Sequence, residues 1–166
     1  MVQPIPEGYH SVTPYLIVDD AAKAIDFYKA AFGAEEKFRL PMGDKIGHAE
    51  LTIGDSFIML ADEFPDMGHL GPKARGGTTA SFLIYVDDVD LAWKRAIDAG
   101  AKEQRPLELQ FWGDRMGSVT DPFGHQWSLA THVEDVAPEQ LQERMKAFGE
   151  QPESKPEITI KPELAH

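Results

Sequence analysis

The chain repeats itself. Tyr15-Leu16-Ile17-Val18-Asp19-Asp20 aligns with Leu83-Ile84-Tyr85-Val86-Asp87-Asp88. Each stretch leads into an amphipathic segment that stops at Gly-Ala, at Gly33-Ala34 and again at Gly100-Ala101. Three strand-like runs follow in both halves. A unit recurring in this order is a structural repeat, so two copies must bury the same faces in the same way.

The first unit, about residues 11–62, reads as strand (13–18), helix (21–32), strand (36–40) and a hairpin (47–53 and 56–61) around Gly54-Asp55. Asp19 or Asp20 caps the helix, and Ala24, Ile25, Tyr28 and Phe32 form its apolar stripe. The second unit, about 79–133, reads as strand (80–86), helix, strand (103–107) and a closing hairpin from Phe111 to His132. Asp87 or Asp88 caps that helix, whose stripe is Val89, Ala92, Trp93, Ala96 and Ile97. The closing hairpin turns at Asp121-Pro122-Phe123-Gly124, with Asp, Pro and Gly where a type I turn wants them. Residues 62–78 are rich in Gly and Pro and read either as a lid or as a plain connection. A helix is expected from Pro138 to Phe148. The fold class is therefore α+β, with residues 1–149 as one domain. The Pro- and Glu-rich tail, 150–166, is expected to dock on the body or on a partner.

A chain of 166 residues with 42% hydrophobic content can build a real core. Its net charge of −12 argues against nucleic acid and anionic membranes as partners. The acidity is spread along the chain, which weakens any reading of the tail as an acidic docking arm for a partner protein. Without cysteine there is no disulfide, iron–sulfur cluster or thiol nucleophile. No run has the length of a transmembrane helix, and Met1 to Tyr9 lacks an apolar signal core, so a cytoplasmic location is the default.

Strand alternation separates two faces. Leu16, Val18, Leu51, Ile53, Ile58, Leu60, Phe82, Ile84, Trp127 and Leu129 should lie under the helices. The other face then carries Thr13, Tyr15, His48, Glu50, Thr52, Met59, Ser81, Leu83, Tyr85, Gln126 and Ser128. A two-residue turn at Pro122-Phe123 would pair Gly117 with Ser128 and Arg115 with Ala130, turning Arg115 onto the polar face. A slip of one residue would send Asp114 there instead.

With Ala24-Ile25-Asp26-Phe27-Tyr28, His48-Ala49-Glu50-Leu51, Trp112-Gly113-Asp114-Arg115, Asp121-Pro122-Phe123-Gly124-His125 and Ala130-Thr131-His132-Val133-Glu134-Asp135-Val136, the chain resembles the vicinal oxygen chelate superfamily. Within it, the match is to the glyoxalase/bleomycin-resistance-like branch once mislabelled as a demethylubiquinone methyltransferase. The resemblance covers about residues 11–133. It implies two βαβββ units forming a half-open, cup-shaped barrel with helices outside, and usually a homodimer. In metal-using members, His, Glu or Gln from the first and fourth strand of each unit hold a divalent ion. The matching positions here are Thr13, Met59, Ser81 and Ser128, none of which offers imidazole or carboxylate. No metal site and no cofactor are therefore expected.

The cup face then defines the candidate site. Glu50 is the candidate general base and His48 its companion. Thr13, Met59, Ser81, Tyr85, Trp112, Arg115 and Ser128 are the candidate ligand-binding residues. Glu50 and Arg115 suit either a structural salt bridge across the barrel or the roles of base and anion clamp. The favoured function is a small-molecule-binding protein lacking the family's metal ligands, of the sequestering kind. The alternative is a metal-free or relocated-metal lyase or isomerase using Glu50.

Overall fold

The computed structural model describes residues 1–150. In chain order the elements are β1 (Tyr15–Val18), α1 (Ala21–Phe32), β2 (Glu35–Met42), β3 (Lys45–Ile53), β4 (Ser56–Asp62), α2 (Pro72–Arg75), β5 (Ser81–Tyr85), α3 (Val89–Ala99), β6 (Lys102–Leu109), β7 (Asp114–Thr120), β8 (Gln126–His132) and α4 (Pro138–Gly149). A 3₁₀ turn, Pro65–Met67, precedes α2, so the Gly- and Pro-rich connection carries two short helices. Lys73 ties it to Asp19 at 3.0 Å. The sheets have the orders β1-β4-β3-β2 and β5-β8-β7-β6, with β1–β4 and β5–β8 parallel. This is an α+β fold of two βαβββ units with no closed barrel. The tail expected to dock lies, from residue 151 onward, outside the described residues.

The repeat extends to the caps. Asp20 accepts the Lys23 N–H, and Asp88 the Leu91 N–H, each at 3.1 Å. Gly33 and Gly100 end the helices in the left-handed region, at φ 67° and 113°. Side chains at the ends of the fourth strands close the first turns: Asp62 accepts the Ala21 N–H at 2.7 Å, and the Thr131 hydroxyl accepts the Val89 N–H at 3.0 Å. Different side chains thus satisfy the same orphan donor in each unit.

Strand phase falls as the alternation predicts. Leu16, Val18, Leu51, Leu60, Trp127 and Leu129 are buried under the helices, while Phe82 and Ile84 pack against that core in part. Full burial of such side chains contributes roughly 1.5–3 kcal/mol each. The units meet through their helices. Arg95 of α3 donates to the Lys29 and Ala30 carbonyls of α1 at 3.0 and 2.8 Å, capping that helix end with positive charge. Phe32 of α1 packs on Trp127 of β8, with ring centroids 4.8 Å apart.

The closing hairpin departs from expectation by one residue. Ser118 lies opposite Ser128, and Gly117 opposite Leu129. The cause is the turn: the Gly124 N–H binds the Asp121 carbonyl at 3.2 Å as in a type I turn, but Gly124 itself takes φ 93°. A type I turn followed by a left-handed glycine makes a three-residue loop, which shifts the register by one. The whole strand β7 therefore presents its other face.

Candidate functional site

A cleft of about 750 Å³ lies where the units adjoin, between the β1–β4 end of the first sheet and β5 of the second. Its walls include Thr13, Phe57, Ser81, Leu83, Tyr85 and Trp127, with His10 and Val12 from the segment before β1. Three of the residues expected at the site, Thr13, Ser81 and Tyr85, thus line one cleft. β1 and β5 stand at the ends of their sheets, so each brings a strand edge bonded on one side only.

Beside the cleft, on the free face of β3, is a hydrogen-bonded chain. The Tyr9 hydroxyl donates to Glu50 Oε2, His48 Nε2 is 3.2 Å from Glu50 Oε1, and the Tyr15 hydroxyl is 2.8 Å from His48 Nδ1. His48 and Glu50 share a face because they are two residues apart on a strand. Glu50 is paired across the sheet with Met59 of β4 and with Phe38 of β2. Burial, then the hydrogen bond to Glu50, then the carboxylate's charge push the Tyr9 phenol up to about 12. Burial and the same charge raise Tyr15. Tyr9 is a site residue that alternation could not find, because it lies before the first periodic element. Its ring stacks on Phe57 of the cleft wall at 4.0 Å.

A second cluster surrounds Asp114, which the one-residue slip turns inward. Only 2% exposed, it accepts from the Tyr85 hydroxyl at 2.9 Å, the Trp112 indole at 3.0 Å and His132 Nδ1 at 2.7 Å. Burial pushes the Asp114 carboxyl up, but the three donors outweigh it and hold it below its ordinary value. The hydrogen bond to Asp135, and then that to Asp114, raises His132. Ser128 meets Ser118, hydroxyl to hydroxyl, at 2.8 Å. Tyr85 and Trp112 are therefore held by a carboxylate that the expected register had pointed away, and Ser128 by the Ser118 hydroxyl.

Arg115 is the correction. It points to the helix side and holds Asp90 of α3 in a bidentate pair, at 3.0 and 2.7 Å. It neither reaches Glu50 nor lines the cleft. The other residues expected around one pocket fall into the cleft wall, the Glu50 chain, the Asp114 cluster and the Ser118–Ser128 pair. Among the described residues no hydrogen bond or ring contact joins His48 or Glu50 to the second unit.

The donor set fits no divalent ion at the positions where the fold's metal-using members bind one. Thr13, Met59, Ser81 and Ser128 supply hydroxyls and a thioether. Among the described residues no group of three or more His, Asp or Glu side chains elsewhere is arranged to hold a metal ion.

Comparison with known proteins fits this geometry. The family model for the Glyoxalase/Bleomycin resistance protein/Dioxygenase superfamily matches residues 8–129. The protein Rv0887c of Mycobacterium tuberculosis is 44% identical over 144 residues, which cover 84% of this chain and 85% of that protein. The structure of TioX from Micromonospora sp. ML1 matches with a TM-score of 0.60 at 29% identity, covering 75% of this chain and 99% of TioX. That of the fosfomycin resistance protein FosX from Listeria monocytogenes shares the fold, with a TM-score of 0.56 at 20% identity over 80% of this chain and 97% of FosX.

Proposed function

Because the chain belongs to the glyoxalase/bleomycin resistance protein/dioxygenase superfamily, we propose that it is a small-molecule-binding protein whose site is the cleft between the two units. It acts as a cytoplasmic homodimer and holds its ligand without a divalent ion. The observation that carries the reading is the cleft itself. Its volume, about 750 Å³, falls in the range of ligand sites, and its walls mix aromatic and aliphatic side chains with a few hydroxyls. Sequestration requires such a cleft and no chemistry, and the family includes resistance proteins of that kind. A homodimer would cover the outer strand edges at β2 and β6, the sheet ends that do not border the cleft.

One observation favours a second reading, in which Glu50 is the general base of a lyase or isomerase: the Tyr15–His48–Glu50–Tyr9 chain offers a ready path for a proton. Among the described residues its relocated-metal form lacks a third donor beside His48 and Glu50. The test of the primary reading is a thermal-shift survey of small aromatic compounds on the full chain and on Ser81→Trp, which fills the cleft mouth. Compounds that bind the cleft raise the melting temperature of the first and not of the second. Hits that survive Ser81→Trp would place binding elsewhere.

A further inference from the structure

The cleft's charge pattern selects among ligand classes. Among the described residues its lining contains no lysine or arginine. Phe57, Phe82 and Tyr85 line it together with the buried Trp127, and so do Asp55 and His10. Two further carboxylates stand behind tyrosine hydroxyls: Asp114 behind Tyr85, a wall residue, and Glu50 behind Tyr9, which stacks on the wall residue Phe57. A phenol that donates its proton to a carboxylate has its oxygen lone pairs free to accept. Glu50 also keeps acceptor capacity, since a carboxylate offers about four lone-pair sites and Tyr9 and His48 take two. Among the described residues no lysine or arginine pairs with it. Arg115, the one cation expected at the site, is committed to Asp90.

Resting on the reading of the cleft as the binding site, we infer that its ligand is a flat organic cation, an aromatic amidine or protonated amine. A cation gains from the ring faces and from the nearby carboxylates. An anion of the same shape finds no lysine or arginine among the described lining residues, only the His10 imidazole, and is repelled by Asp55 and, behind the tyrosines, by Glu50 and Asp114. A neutral isostere keeps only the stacking. The overall charge of −12 adds a field that draws cations toward the surface.

The experiment is an NMR titration of the isotope-labelled full chain with benzamidine, benzamide and benzoate, three probes of one shape and different charge. Benzamidine should shift the amides of residues 12–13, 56–58 and 81–85 saturably, with an affinity at least about tenfold above that of benzamide. Benzoate should give no saturable shift. Tyr85→Leu, at an exposed position that the core does not need, should weaken benzamidine severalfold and leave benzamide less affected. If benzamide or benzoate matches or exceeds benzamidine at the same amides, the cation class is wrong while the cleft remains the binding site. If none of the three moves those amides, both inferences fail.

Discussion

The Tyr28 hydroxyl donates to Asp121 Oδ2 at 2.6 Å, joining the helix of the first unit to the turn of the second. Asp121 is only 4% exposed and accepts three further hydrogen bonds: from the Phe123 and His125 N–H groups and from the Trp127 indole, each at 2.9 Å. One buried carboxylate thus shapes the hairpin turn and fastens it to its neighbour. We predict that Tyr28→Phe costs about 1.5–3 kcal/mol, the range for a hydrogen bond to a charged group. Asp121→Ala should cost at least about 3 kcal/mol, because it leaves buried donors unpaired. Urea unfolding of both variants measures this, and near-wild-type midpoints would show that the junction is held by apolar packing alone.

His132 makes stability depend on pH with a definite sign. Asp135 first, and Asp114 second, raise it above the ordinary value of 6.5. A raised histidine contributes stability that is fully present below about pH 6.5 and is lost as pH rises through its folded-state value. Melting temperatures from pH 6 upward should fall more steeply for wild type than for His132→Gln. Parallel profiles would mean that the imidazole is not held between the two carboxylates.

Tyr9 can be read separately from the other tyrosines. A Cζ-labelled tyrosine titration should show one resonance, missing in Tyr9→Phe, with a midpoint near 12. A midpoint near the ordinary 10.0 would detach Tyr9 from Glu50.

Much of this architecture was legible in the sequence. The alternation of Leu16, Leu51, Leu60, Trp127 and Leu129 fixed which faces go under the helices, because a strand exposes a new side every residue. The aspartate and glycine punctuation fixed both helices. The register of β7 was not legible, because the choice between a two- and a three-residue loop depends on whether Gly124 takes positive φ, and the residues Asp-Pro-Phe-Gly allow both. That single backbone angle decides whether Arg115 or Asp114 faces inward. Tyr9 escaped for another reason: its contact with Glu50 spans 41 positions from a segment with no periodicity.

The register itself can be tested at Gly117, which it places under α3. A Cβ there would lie 2.5 Å from the Trp93 ring and 3.0 Å from the Leu107 Cα. Gly117→Ala should therefore cost about 1–3 kcal/mol through overpacking. Ser118→Ala, on the free face, should cost less. The reverse order of the two variants in chemical denaturation would restore the register in which Arg115 turns inward.

The proposed cleft at the junction of the two units binds a small molecule without a divalent ion. Its most direct test is a fragment screen by amide-shift NMR on the full chain, stripped with EDTA and then again after adding zinc, manganese and nickel. Fragments should cluster their shifts on residues 12–13, 56–58 and 81–85 in the stripped protein, with affinities unchanged by the metals. Shifts that appear only after a metal is added, or that cluster away from those residues, would contradict it.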